Sequence, residues 1–568
     1  MSSQKKAYSK GIIISAVIIL LLGINLLASL WHQRIDLTSE KKFTLSAPTK
    51  KLLKKLDGEV TVDILLKGEF PSAFKRLANS AEETLQEFKE IAGNKINYRF
   101  VLPDDEMDEV NTKYADTVAS LGIEPINLKV QLKAGEQQQL VYPAALIHYK
   151  GKVFAVNLYS GNKMFVSPKE LNSAEAQMEY KFADAIDKLS YDSKPLVAYS
   201  IGNGEPGGYS SYDLQSVLRK DYQLFTFNIN TQPAIPDTFG LLVIVKPTKP
   251  FSEIEKLKID QYVMRGGKLL MFIDKLEAEM DSLQQKNEVI AYDRGLDLND
   301  LLFKYGARIN SDLLMDLQCD LLPFDVNGNG QYEWLEWNYF PLFQTKSNHP
   351  INKNIGLVAG KFVNSIDTVE AEGIKKTILL SSSANSKVIS TPALISGREN
   401  VNAPESENFK KHDIPAAVLL EGKFQSLFQN RLSQAMKDSI AIYGGQFFQN
   451  GQKETQMIIV SDGDIVLNGM SKNQPIPMGM NQFAYGTQKE FPFANRDFFQ
   501  NCMDYLVDRS GLMEAKSKDY TLRLLDTKKV EEEKSLWQII NIVAPILLVC
   551  LFAIAYQWRR KRKYTVTQ

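Results

Sequence analysis

Reactive side chains are scarce in this chain. Of 568 residues, three are cysteine and four are histidine. Cys550 falls within an apolar run near the end, which leaves Cys319 and Cys502 as the one possible bridge, and there is neither a C-x-x-C pair nor a disulfide framework. His32, His148, His349 and His412 are far apart and form no H-E-x-x-H helix, so a zinc-hydrolase site of that kind is excluded. No G-x-S-x-G elbow occurs, and no G-x-x-x-x-G-K-S/T loop, so the chain does not itself hydrolyse nucleotide through a P-loop. Net charge is also missing: 67 basic residues face 67 acidic ones without a basic stripe. Nucleic acid is therefore not an expected partner.

What the chain does have is two uncharged apolar runs, residues 11–31 and 536–558. At ~1.5 Å per residue, about twenty helical residues cross a ~30 Å hydrocarbon core. Lys5, Lys6 and Lys10 precede the first run, and Arg559, Arg560, Lys561, Arg562 and Lys563 follow the second. Both outer ends therefore read as cytoplasmic. The first run is too long for the apolar part of a signal peptide, and Ala28-Ser29-Leu30-Trp31 offers no small-x-small cleavage site. Trp537 and Trp558 mark the edges of the second like interfacial aromatics, and Pro545 inside it predicts a kink. The expectation is a two-pass membrane protein with residues 32–535 on the far side. That body holds 59 basic against 67 acidic residues, a net charge of −8, which also disfavours anionic lipid as its partner.

Periodicity makes the body α/β. Residues 34–56 are polar and lysine-rich; Val60, Val62, Ile64 and Leu66 then alternate as in a strand. Phe74, Leu77, Ala81, Leu85, Phe88 and Ile91 recur at helical spacing up to a capping Gly93, and Ile96, Tyr98 and Phe100 alternate again. A right-handed crossover makes these two strands parallel. With strands in 141–158 turning at Lys150-Gly151 and a helical stretch over 170–189, residues 35–190 read as a thioredoxin-like domain without redox cysteines. From Pro195 a second alternation begins: strand 196–201, helix 211–220, strand 222–229, buried strand 241–245, a helix opened by the Ser252/Glu255 capping box, and strand 268–273. This predicts a doubly wound, flavodoxin- or amidotransferase-like α/β domain over 191–515. Residues 1–34 form the first tip and anchor. Residues 516–568 hold a linker, the second transmembrane helix and the basic tail. Residues 399–413 are polar and predict a mobile loop.

Three motifs could carry chemistry. Gly202, Gly204 and Gly207 satisfy G-x-G-x-x-G after a strand and before a helix. Glu205 would set a carboxylate among the phosphate oxygens, however, and Pro206 removes a backbone donor, so no nicotinamide cofactor is expected. The turn still occupies the usual ligand crevice of such sheets, so Gly202, Asn203, Gly204 and Glu205 are candidates for ligand or partner binding. Asp325-x-Asn327-x-Asn329-Gly330 with Glu336 matches the EF-hand pattern, but Pro323 and Trp337-Asn338-Tyr339-Phe340-Pro341 are poor flanking helices, so calcium is not expected. Asp462 and Asp464, after a late strand, could share a cation or a proton; a turn role is the commoner one. No catalytic residue, cofactor or metal ligand is assigned.

Other stretches are similar to a known family. The run Leu296-Asp297-Leu298-Asn299-Asp300-Leu301-Leu302-Phe303-Lys304-Tyr305-Gly306 resembles a landmark of gliding-motility-associated ABC-transporter auxiliary proteins of the GldG type. So do Asp316-Leu317-Gln318-Cys319, the Trp337–Pro341 stretch, Gly202-Asn203-Gly204-Glu205, Ser461-Asp462-Gly463-Asp464 and the helical pattern over 495–506. The resemblance spans nearly the whole chain. It implies a non-enzymatic, substrate-binding-like subunit in the bacterial inner membrane, with a separate ABC permease and a separate ABC ATPase as partners. The external body would meet an unknown substrate or an envelope protein. Two rivals stay open: a structural scaffold for gliding or secretion machinery, and a periplasmic hydrolase or amidotransferase-like enzyme.

Overall fold

The computed structural model describes residues 44–517 and 527–564 together with 19–21 and 23, apart from 69, 108–111, 133–134, 160–166, 281, 284–287, 327–328, 345–346, 397–405, 443–444 and 509. The first apolar run lies outside the described residues except for Ile19, Leu20, Leu21 and Gly23, which are helical and exposed. The chain divides into two compact units, 1–519 and 520–568.

The predicted β-α-β unit forms. Val60–Ile64 runs parallel to Ile96–Phe100, with Val60 opposite Ile96. Phe74, Leu77, Ala81, Leu85 and Phe88 of the Ser72–Ala92 helix bury against the sheet, and the helix stops at Gly93 with φ 63°. Ala144–Tyr149 adds antiparallel on the other side of Val60–Ile64 and turns into Lys152–Asn157 through Lys150 and Gly151, both at positive φ. Periodicity missed the short helix Tyr114–Ser120 and two further elements. The stretch read as polar contains a helix, Ala47–Lys54, capped by Ser46 and burying Leu53. A hairpin, Ile126–Leu132 with Gly135–Val141, is hidden by a run of glutamines in its second strand.

An ion cluster joins this region to the rest. Lys188, on the Met178–Ser190 helix, reaches Asp184, Asp221 and Asp504 at 2.9, 3.1 and 3.2 Å. Asp504 also accepts from Tyr180 and Tyr222 at 3.0 and 2.8 Å. Burial, with Asp504 and Asp221 adding to it, pushes Asp184 up to about 7 in spite of Lys188. A carboxyl whose folded pKa is raised favours folding below its unfolded value near 4, and that contribution is lost as pH climbs to about 7. Asp184→Asn is therefore expected to gain about 1–2 kcal/mol at pH 8 and nothing at pH 4, read from denaturant unfolding at both pH values.

The second alternation builds a seven-stranded sheet in the order Ile374–Ser381, Pro415–Gly422, Thr455–Val460, Leu269–Phe272, Leu241–Val245, Leu196–Ile201, Gln223–Asn228. The last five run parallel to one another, and Pro415–Gly422 is antiparallel to both its neighbours. By chain position the parallel strands lie 2-1-3-4-5, so winding reverses between Leu196–Ile201 and Leu241–Val245. Strand Leu241–Val245 is buried throughout, as a central parallel strand covered on both faces must be.

Between the fourth and fifth parallel strands the chain makes small antiparallel sheets that carried no clear pattern in the sequence. Their core gathers Ala291, Leu313, Met315, Trp337 and Tyr339. Here the calcium-like stretch is a hairpin connection between Cys319–Phe324 and Glu333–Phe343. Asp325 accepts from Asn329 and Gly330 N–H at 3.0 Å each, closing the turn on itself. Glu336 stands opposite Leu321, three rungs beyond the Phe324–Glu333 pair, and Asn327 lies outside the described residues. The expected loop over 399–413 is corrected in part. Residues 397–405 lie outside the described ones, but Phe409 is buried and Lys411 exchanges both backbone hydrogen bonds with Ser386. Cys319 and Cys502 are both buried and both free thiols.

The described residues of the second unit form the helix Thr527–Tyr564, continuous through Pro545. Its segment Glu533–Arg562 is long and apolar enough to cross a membrane, and its window is fully exposed. A face of this size, all apolar and all bare, is not that of a soluble-core helix.

Candidate functional site

Four of the five parallel strands deliver polar residues to one rim, their carboxyl ends. At the winding reversal, strand Leu196–Ile201 ends in the Gly202–Glu205 turn. Gly202 and Gly204 sit at φ 126° and 80°, and a Cβ on Gly204 would stand 2.0 Å from Thr248 Oγ1. Asn203 is buried and knits the turn to its neighbour. Its carbonyl accepts from Thr248 and Lys249 N–H, both at 2.8 Å, and its side-chain amide donates to Pro250 O and Glu255 Oε2 at 3.1 Å. Glu205 Oε2 accepts from Asn203 N–H at 2.8 Å, and burial raises the Glu205 pKa. The loop that a dinucleotide phosphate would use is thus occupied by the chain's own backbone. The helix begins only at Tyr212, after a 3-10 turn over Gly208–Ser211.

The other three strand ends meet over Lys246. This residue follows Val245 directly, at φ 42°, and is buried. Its Nζ lies 2.8 Å from Asp464 Oδ1, 3.1 Å from Asp274 Oδ2 and 3.1 Å from Glu279 Oε2, while Arg294 holds the other Glu279 oxygen at 2.7 Å. Asp462 is fully buried; it accepts Lys361 N–H and Asp464 N–H, each at 2.7 Å. Gly463 N–H donates to Asp274. A Cβ on Gly463 would come within 2.5 Å of Lys246 Cβ, so glycine is required there by packing.

Electrostatics follow from this geometry. Burial, reinforced by Asp274 and Asp464, drives Asp462 well above the carboxylate range. Burial also raises Asp274, with Lys246 pulling against it. Asp464 is the exception: against its burial, Lys246 and Lys361 hold it low. Lys246 is held well above its usual value because Asp274, Asp464 and Glu279 outweigh its burial. Oxygens of Asp274, Asp462 and Asp464 lie within 4.8 Å of one another, a donor set of the kind hard divalent cations take. The Lys246 ammonium already bonds two of the three, so the cluster holds a cation of its own.

Of the residues singled out from sequence, Asp462 and Asp464 therefore come together. The Gly202–Glu205 turn stands on the same rim with two strands between. Lys246, Asp274, Glu279 and Arg294 were missed. The available signal was a charged residue directly after, or two beyond, a wholly apolar strand, as in Lys246 after Leu241–Val245 and Asp274 after Leu269–Phe272.

The family profile described as "ABC-type uncharacterized transport system" (ABC_transp_aux) matches residues 194–502, more than half of the chain. The chain belongs to this family. The matched segment takes in the whole seven-stranded sheet, the Lys246 cluster and the Gly202–Glu205 turn, so all of the rim just described lies in the transport-family portion. A second profile, a domain of unknown function (DUF7088), matches residues 39–148. An uncharacterized protein of Borreliella burgdorferi (strain ATCC 35210 / DSM 4680 / CIP 102532 / B31) is 20% identical over 546 residues, covering 93% of this chain and 94% of its own. Among solved structures, the mmIFT52 N-terminal domain aligns with TM-score 0.31 and 12% identity over 55% of this chain and 97% of that one, a likeness too slight to assign a fold.

Proposed function

We propose that this protein is a non-enzymatic auxiliary subunit of an ABC transport system, anchored in the bacterial inner membrane and working with a separate permease and a separate ATPase. The observation that carries this reading is the bare apolar helix Thr527–Tyr564 on a chain of the transport family. A helix exposed along its whole apolar length needs lipid or another membrane helix to cover it. Under the same reading residues 11–31 form a second anchor, residues 32–535 are periplasmic, the 35–190 region is thioredoxin-like, and 191–515 is a flavodoxin-like auxiliary domain. The strand orders support both fold readings. A link to gliding motility rests on the sequence resemblance. The pairing of Asp274 and Asp464 with Lys246 supports a binding or coupling role over catalysis, because a general acid or base needs a free path to substrate. Solubilisation in mild detergent is expected to recover the chain with a permease and an ATPase. Repeated recovery of the chain alone, or with outer-envelope proteins only, would favour the scaffold reading instead.

A further inference from the structure

A cavity adjoins the Lys246 cluster at the carboxyl end of strand Leu269–Phe272, where Ile273 and Lys275 line it on either side of Asp274. It measures about 120 Å³ and is lined in part by the run Leu296–Leu302, the family-like stretch for which the site above has no use. Its floor is apolar, from Ile273, Leu296, Leu302 and Ile309, all buried. Into that floor is set a cation, Lys275, itself only 8% exposed. Lys275 Nζ donates to Ile309 O at 2.8 Å, and Asp293 is 3.7 Å away, beyond hydrogen-bond range. An ammonium has three protons to place: Ile309 O takes one, and Asp293, which itself accepts from Gly295 N–H and Ser311 Oγ, pairs with the ammonium as an ion. The rim has the opposite character: Asp293, Asp297 and Asn299 line it and are exposed, with Asp297 held at φ 61°.

We infer that this cavity binds a small zwitterion, an α-amino acid of about alanine size, with its carboxylate on Lys275, its ammonium at the Asp293/Asp297 rim and its side chain on the apolar floor. Each part of the lining is needed for that choice. A plain carboxylate would leave the acidic rim facing an anion, and a plain amine would leave Lys275 facing a cation. Size sets the limit: the space equals about four water volumes, enough for about six heavy atoms. This assignment is independent of the transporter reading, since it concerns the isolated chain and needs no permease.

The test is saturation-transfer NMR on the full chain in detergent, with L-alanine, propionate and ethylamine as probes. A ligand of six heavy atoms is bounded at about −9 kcal/mol, and this measurement also reads binding as weak as the millimolar range. Alanine is expected to bind, and propionate and ethylamine to bind at least about tenfold more weakly, each lacking one charge-assisted contact. Lys275→Met and Asp297→Asn should each weaken alanine by about tenfold. Asn299→Trp, at the exposed rim, should block the cavity without touching the core, so a failure of Lys275→Met to fold leaves the test intact. No alanine signal in wild type, equal signals from propionate or ethylamine, or undiminished binding in Asp297→Asn and Asn299→Trp would each overturn the assignment.

Discussion

Lys246→Met is expected to lose about 3–5 kcal/mol of stability at neutral pH, because it strands buried carboxylates without their cation. The methionine fills much the same volume, so the loss is electrostatic. Three partners within 3.1 Å depend on this ammonium; of these Asp274 is buried and Asp464 half-buried. The pH dependence identifies the cause. In the natural protein Lys246 holds Asp464 low, so that group's contribution is present above its unfolded value near 4 and is lost only as pH falls through its lower folded value. In the variant the same carboxyl loses its main partner and its folded pKa rises. Its contribution then survives only at low pH and disappears as pH increases. Urea unfolding at pH 5 and pH 7.5 should show a deficit that grows with pH. A uniform deficit would point to lost packing, and no deficit would mean that the cluster is solvated. Lys246→Met combined with Asp464→Asn should recover part of the loss, since the neutral amide no longer needs the cation.

Asp260→Leu is expected to cost a similar ~3–5 kcal/mol for the reverse reason, the removal of an acceptor from a cage of donors. Asp260 is fully buried on the Glu253–Met264 helix. It accepts from Ser426 Oγ at 2.7 Å, and from Leu427 N–H, Tyr305 OH and Gln261 Nε2 at 2.9 Å each. Burial raises its pKa even with four donors opposing. Leucine leaves the backbone N–H and the Tyr305 hydroxyl buried and unpaired, each a loss of ~1–3 kcal/mol. Asp260→Asn keeps an acceptor oxygen and should lose about half as much. Tyr305 closes the Asn299–Tyr305 helix that helps line the cavity, so near-UV circular dichroism of the leucine variant should also weaken around the aromatic bands. Matching unfolding midpoints for Asp260→Leu and the natural protein would show that those donors find other partners.

Local structure was readable wherever neighbouring residues carry the signal. The alternation Val60, Val62, Ile64 became a strand, and Ser252 with Glu255 became a capping box with both hydrogen bonds made. The unbroken apolar run over 241–245 became a strand buried on both faces. The antiparallel insertion was not readable, because its strands are either very short or, like the aromatic-rich Glu333–Phe343, show no clean period of two. Ala47–Lys54 was missed because one buried leucine and one buried threonine are too few to make a stripe.

The sequence by itself determined the class of this protein: periodic α/β units, an apolar helix that no water-soluble fold would leave bare, and no nucleotide-hydrolysing loop. These properties are written in residues a few positions apart, and propensity, capping and hydropathy act over that range. Only the tertiary structure decided what the polar residues do. Lys246 and Asp464 are 218 positions apart and meet because strand order places their carboxyl ends side by side. The cavity with Lys275 in its floor exists because residues 293–309 fold back over the strand end that carries Ile273. Charges find their partners through topology, and topology is a property of the assembled sheet, not of any one of its strands.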